Sequence, residues 1–153
     1  MAEPRWLDDE EMAAWNAFVE ASNLLARKVE QQLREQVGLS HPQYEILVRL
    51  SAAPGGELRM TELAQLVVTS KSGLTYQVTQ LEKAGLVRRR TCESDDRGVN
   101  ALLTDAGREK LRAAAPGHVA VVRSNLIDVL DRDQLRAVAA GLGEVTRHLR
   151  TSG

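Results

Sequence analysis

The sequence carries one cysteine in 153 residues. Cys92 cannot form an internal disulfide, so the fold rests on its hydrophobic core, and the composition fits a reducing cytoplasm. Long apolar runs are missing as well. No stretch of about 18 apolar residues occurs, so no membrane-spanning helix is expected. The first eleven residues are acidic and lack a basic n-region followed by an apolar run, so no secretory signal is expected either. A surplus of charge of one sign is absent: 20 basic and 21 acidic side chains leave a net charge of −1. That balance argues against a generally basic nucleic-acid binder. The three histidines, His41, His118 and His148, are far apart and form no recognised metal-ligand cluster. No metal, no cofactor and no catalytic constellation is expected, and an enzyme is the remotest reading.

What is present is a globular composition, 43% hydrophobic and 27% charged, at a length that suits one domain or two small lobes sharing helices. The net charge conceals a gradient. Residues 1–45 hold four basic and nine acidic side chains, whereas residues 57–112 hold ten and eight.

Apolar residues from Trp15 through Phe18, Leu25, Val29 and Leu33 recur at steps of three and four, which predicts an amphipathic helix ending near Gly38. Ser40-His41-Pro42-Gln43 has capping-box spacing with proline in the first turn, opening a helix that stops before Pro54. Short helices are expected over residues 61–67 and 71–84, joined by Val68-Thr69-Ser70, with Gly85 as a left-handed cap. This pair is a helix-turn-helix. Beyond it, residues 86–91 and 99–103 are β-prone and flank a polar tip, which predicts a hairpin. Thr104 then caps a long helix in which Pro116-Gly117 predicts a kink or break. Asp131-Arg132-Asp133-Gln134 starts a last helix. Its apolar residues Leu135, Val138, Leu142, Val145 and Leu149 form a narrow seam suited to a partner helix.

The second helix of the pair buries Leu74, Val78 and Leu81 and turns Ser72, Thr75, Tyr76, Thr79 and Gln80 outward. These groups donate and accept hydrogen bonds, as contact with base edges in a major groove requires. A merely solvated helix face is the alternative for this helix taken alone. Its start, Ser70-Lys71-Ser72, offers backbone N–H groups, hydroxyls and a cation suited to phosphate. The hairpin adds Arg88, Arg89 and Arg90 in its first strand and Arg97 at its tip, where a guanidinium suits a narrow minor groove. Alternation sets Arg89 on the face opposite Arg88 and Arg90, so at least one of the three is expected in a structural ion pair. Asp95 is expected to support the tip and aim Arg97.

Five motifs stand out: Leu58-Arg59-Met60-Thr61-Glu62-Leu63-Ala64, Ser70-Lys71-Ser72-Gly73-Leu74-Thr75, Leu81-Glu82-Lys83-Ala84-Gly85-Leu86-Val87, Leu103-Thr104-Asp105-Ala106-Gly107 and the tip Asp95-Asp96-Arg97. In these the chain resembles the MarR family of bacterial transcription regulators. The resemblance implies a mainly α fold: a winged helix-turn-helix lobe with a small antiparallel hairpin, plus a helical dimerisation region from both chain ends. Residues 1–38 and 105–153 would form that region and residues 39–104 the DNA-binding lobe. It also implies a homodimeric repressor of a pseudo-palindromic operator, relieved by a small-molecule effector. Double-stranded DNA would be met by Thr61, Ser70, Lys71, Ser72, Thr75, Tyr76, Thr79, Gln80, Arg89 and Arg97, and the partner copy by Trp15 and the Leu135–Leu149 seam.

Some residues depart from the family's pattern. Tyr76 stands where relatives often carry a basic residue, and Thr79 and Gln80 where they often carry Asp and Arg. Tyr76 either contacts DNA through its ring and hydroxyl or packs on the lobe surface. Trp15, Phe18 and Tyr44 either line an effector pocket or are plain core. The family's peroxide sensors use a cysteine in the first helix, which this chain lacks, so Cys92 reads as an ordinary strand residue. A winged helix used for protein–protein contact, with the acidic N-terminus as its arm, is the rival class.

Overall fold

Why the first helix begins where it does is visible in its cap. Asp8 Oδ1 accepts from the Glu11 N–H at 2.8 Å, and Glu11 returns the bond to the Asp8 N–H at 2.9 Å. This capping box opens α1, Asp9–Val37, two turns before the first apolar repeat visible in the sequence. The computed structural model describes residues 1–67, 69–92 and 95–152, excepting the side chains of Cys92, Asp95, Asp96 and Arg97. A second box, Ser40 with Gln43, opens α2, His41–Ala52, as its spacing predicts. After a single turn at Pro54–Gly56 come β1, Glu57–Arg59, and α3, Met60–Leu66. Then follow α4, Lys71–Lys83, β2, Val87–Cys92, and β3, Asp95–Leu103. The chain closes with α5, Asp105–Val122, and α6, Arg132–Thr151, the latter started by the expected Asp131–Gln134 box.

Two units can be distinguished. One, Ala26–His118, holds all of the described buried residues. Leu33, Ile46, Leu47, Leu50, Leu63, Leu74, Val78, Leu81 and Val87 are closed to solvent. Fully burying a side chain of this kind contributes about 1.5–3 kcal/mol. The sheet has order β1-β3-β2, antiparallel throughout. Leu58 pairs with Ala101, and Arg89 also pairs with Ala101. Val87, Ala101 and Leu103 therefore face the core, where they are buried, while Glu57, Arg90 and Asn100 share the other face. The third strand was not visible in the sequence, where only a two-stranded hairpin is expected. Three residues are too few to show a period, and Glu57 is a poor strand former.

The Leu103–Gly107 motif earns its residues at the junction of sheet and helix. The Thr104 hydroxyl donates to the Gly85 carbonyl at 2.7 Å and accepts from the Gly107 N–H at 3.0 Å. Gly85 itself has φ 77°, the left-handed cap its position predicts. Of the kink or break expected at Pro116, the break does not occur. α5 runs through Pro116, and regular α geometry gives way later, to a wider π-type turn at Arg123–Ile127. Proline removes one backbone donor, and here its neighbours hold the helical path without it.

The other unit, Met1–Leu25 with Val119–Gly153, is the opposite in character. None of its described residues is buried. Trp15 and Phe18 touch at 6.4 Å between ring centres, yet both stay exposed.

Candidate nucleic-acid interface

The outer surface of the lobe is built by α3, α4 and the β2–β3 hairpin. α4 starts at Ser70, whose hydroxyl accepts from the Gly73 N–H at 3.0 Å and lies 3.3 Å from the Ser72 hydroxyl. Beyond the Gly73 N–H taken by Ser70, a helix start leaves further backbone N–H groups without intrahelical partners, and here it carries the exposed Lys71, a positive end suited to an anion. Inward go Leu74, Val78 and Leu81. Outward go Ser72, Thr75 and Tyr76, all exposed, with Thr79 and Gln80 part-exposed. Tyr76 is 61% exposed, so most of its side chain is open to solvent.

Two recesses flank this helix. The larger, about 440 Å³, is lined by Arg59, Met60, Thr61, Thr75, Arg89, Gly98 and Val99. The smaller, about 140 Å³, lies between Met60 and Thr61 on α3 and Lys71, Leu74 and Thr75 on α4. Thr61, Thr75 and Arg89, expected to share one surface, are thus brought together, and Lys71 joins them through the second recess. The participation of Arg59, at the start of α3, and of Gly98 and Val99 was not anticipated. Only the pairing of β1 with β3, Arg59 opposite Asn100, brings that helix start beside the wing.

Wing arginines are held by carboxylates. Arg89 donates from Nη2 to Glu82 Oε1 at 2.9 Å, and its backbone N–H donates to Glu82 Oε2 at 3.1 Å. Arg90 donates to both oxygens of Glu57, at 2.6 and 2.5 Å, and Asn100 Nδ2 adds a third bond at 2.9 Å. The expectation that at least one arginine would be structural therefore holds for two. The bonds from Arg90 and then Asn100 hold the Glu57 carboxyl below its usual range. The Arg89 guanidinium, then its backbone N–H, does the same for Glu82. Both acids stay ionised while the arginines are in place. Glu82 links the recognition helix to the first wing strand, so the wing is set relative to α4 by an ion pair as well as by packing.

A helix-turn-helix with a polar outward face, a three-stranded wing and these recesses can be compared with known proteins. The MarR family model matches residues 39–99. The HTH-type transcriptional regulator YfiV of Bacillus subtilis is 30% identical over 76% of this chain and 71% of its own. Among solved structures, AbsC, a MarR family regulator from Streptomyces coelicolor, is 44% identical with a TM-score of 0.92, covering 97% of this chain and 99% of its own. Sco3205 of the same organism, solved in complex with DNA, is 43% identical with a TM-score of 0.88, covering 99% of this chain and 92% of its own.

The chain belongs to the MarR family.

For a MarR protein the remaining expected positions fall as follows. Asp95 and Arg97 lie on β3, but their side chains, like that of Cys92, are outside the described residues, as is Val68 of the expected turn. Tyr44 is buried, with its ring 4.7 Å from that of His118, and burial raises its hydroxyl above the usual value. Burial first, and the charge of His41 second, push His118 below the ordinary histidine range. Tyr44 is thus core of the Ala26–His118 unit. Among the described residues no group of His, Cys, Asp or Glu could hold a metal ion, and no helix is long and apolar enough to cross a membrane.

Proposed function

We propose that this chain is a cytoplasmic, sequence-specific transcription repressor that binds a pseudo-palindromic operator as a homodimer and is released by a small-molecule effector. The observation that carries the DNA-binding reading is the outward face of α4 set between two recesses, with a cationic helix start at one end and the wing beside it. Lys71, Ser70, Thr61 and the wing residue Arg97 contact phosphate, while Arg89, expected in the same role, is held by Glu82 and sets the wing; Ser72, Thr75, Tyr76, Thr79 and Gln80 meet base edges. Sco3205, a relative at 43% identity solved in complex with DNA, supports DNA as the partner. Dimerisation is supported by the exposed seam of α6, where Val138, Leu142, Val145 and Leu149 are all at least 38% exposed, and by exposed Trp15. The dimerisation region is assigned to residues 1–38 and 105–153 and the DNA-binding lobe to residues 39–104. Two-fold symmetry then sets the recognition helices roughly 34 Å apart, in successive major grooves. Effector release draws on two of the three buried polar atoms that lack a hydrogen-bond partner among the described residues, Gln32 Oε1 and His118 Nδ1, the third being Asn100 Oδ1 on the wing sheet. Unsatisfied polar atoms of this kind are what an incoming polar ligand can satisfy.

The test is a titration against the DNA upstream of the protein's own gene at several salt concentrations. A steep, sequence-dependent fall of affinity with salt is the expected result. The absence of a specific complex at any salt would favour the protein-docking class instead. In the same assay Arg97→Ala weakens binding at about 0.15 M salt while sedimentation still reports the parent's size.

A further inference from the structure

We propose that the recognition helix reads A·T pairs, with Gln80 the residue that selects adenine and Thr79 the residue that selects a neighbouring thymine. This rests on the DNA-binding reading of α4 and adds to it the bases that the helix prefers.

The argument begins with the protons of two hydroxyls. Thr75 Oγ1 donates to the Lys71 carbonyl at 2.9 Å, and Thr79 Oγ1 donates to the Thr75 carbonyl at 2.7 Å. Each hydroxyl proton is directed back into the helix. What each threonine presents outward is a lone pair and a methyl group. In the major groove a lone pair meets the exocyclic amine of adenine or cytosine, and a methyl group meets the methyl of thymine. The base pair that offers both an amine and a methyl is A·T.

Gln80 lies next along the chain. Its side chain forms no hydrogen bond with another described residue, so its amide keeps both donor and acceptor, the set that matches N7 and N6 of adenine in a bidentate pair. Guanine is best read by arginine or lysine through O6 and N7, and the middle of this face has neither. Lys71 sits at the helix start and Lys83 at its end. Arg89 and Arg90 are engaged by Glu82 and Glu57. Thr79 and Gln80 project about 100° apart around the helix and so reach neighbouring base pairs, which makes the selected feature an adenine with a thymine beside it in each half-site.

The experiment is selection of the full-length protein against a randomised duplex library, followed by base-by-base titration of the selected site. The expected motif contains an A·T step in each half-site. Replacing its adenine with 7-deazaadenine, which lacks N7 but keeps the N6 amine, weakens binding of the parent by roughly 2- to 13-fold, the worth of one hydrogen bond, and leaves Gln80→Ala unchanged. Replacing the thymine with uracil, which lacks the methyl, weakens the parent and leaves Thr79→Ser unchanged. Because these changes are made in the DNA, a folding defect cannot mimic them. Selection of guanine at the position sensitive to Gln80, or an equal 7-deazaadenine effect in parent and Gln80→Ala, overturns the proposal while leaving the DNA-binding reading intact. Selection of no motif at all overturns both.

Discussion

A single missing methyl group decides how closely α5 approaches the turn after α4. A Cβ built at Gly107 would lie 2.3 Å from the Leu86 carbonyl oxygen and 2.5 Å from Leu103 Cδ1. One of these neighbours is backbone, which cannot swing aside. Gly107→Ala is therefore expected to destabilise the protein by about 1–3 kcal/mol, read as a fall of several degrees in Tm by thermal unfolding. By contrast, a Cβ at Gly141 or Gly143 meets nothing within 4 Å among the described residues. A second prediction at this scale concerns His118. Its folded pKa is below the ordinary histidine value because its ring is partly buried and His41 is nearby. The unfolded chain therefore binds the proton more readily, and stability is lost as pH falls. The full contribution is present above about pH 6.5 and declines below it, toward the folded value. The urea midpoint should fall between pH 7.5 and 5.5, and His118→Gln should flatten that dependence. An unchanged slope in the variant would assign the effect to another group. Glu57 and Glu82 act in a separate window, below the usual carboxylate value, because their pKa values are also lowered.

Between elements, the consequential pair is Glu82 with Arg89, because it ties the recognition helix to the wing. Glu82→Ala removes an acceptor of two hydrogen bonds and leaves the guanidinium without its carboxylate. The cation then becomes available to phosphate, so binding to non-specific DNA should strengthen. The slope of log affinity against log salt should steepen by about one, and the ratio of specific to non-specific affinity should fall as the wing loses its setting. Affinity titrations on operator and scrambled duplexes check both; a slope unchanged on scrambled DNA would show that Arg89 never reaches phosphate. Much at this scale was legible in the sequence because the signals are local. The Ser40 and Asp131 boxes, the glycine cap at Gly85 and the inward trio Leu74, Val78 and Leu81 each depend on spacings of three or four residues. The pairing of β1 with β3 was not legible. Glu57 meets Arg90 only because two strands 33 residues apart in the chain share a sheet, and no local period records that. The same reason hid Arg59 and Val99 from the list of site residues, although Thr61, Thr75 and Arg89 could be named. The start of α1 was missed for a different reason: its first turns are acidic and exposed, so they carry a cap but no apolar stripe.

For the molecule as a whole, the two units pose an imbalance that one copy does not resolve. The Ala26–His118 unit has a closed core, whereas no described residue of Met1–Leu25 or Val119–Gly153 is buried. A 20-residue helix such as α6 gains little from propensity alone, since helices in proteins owe most of their stability to packing of an apolar face. The face is there: Val138, Leu142, Val145 and Leu149 keep the coiled-coil spacing and are exposed. A second copy laid along it buries that stripe at about 25 cal/mol per Å² of apolar surface and fixes the spacing between two recognition helices. Leu142 sits mid-seam, so Leu142→Asp brings two uncompensated carboxylates into the centre of that interface. Sedimentation should report monomers at concentrations where the parent is dimeric, and Leu142→Met should leave the dimer intact. Without the link, each lobe binds its half-site independently, and operator affinity should fall by roughly 10²- to 10⁴-fold, while binding to a single half-site is unchanged. A parent protein that sediments as a monomer would remove the basis for the dimer. A dimeric Leu142→Asp variant would move the interface off α6.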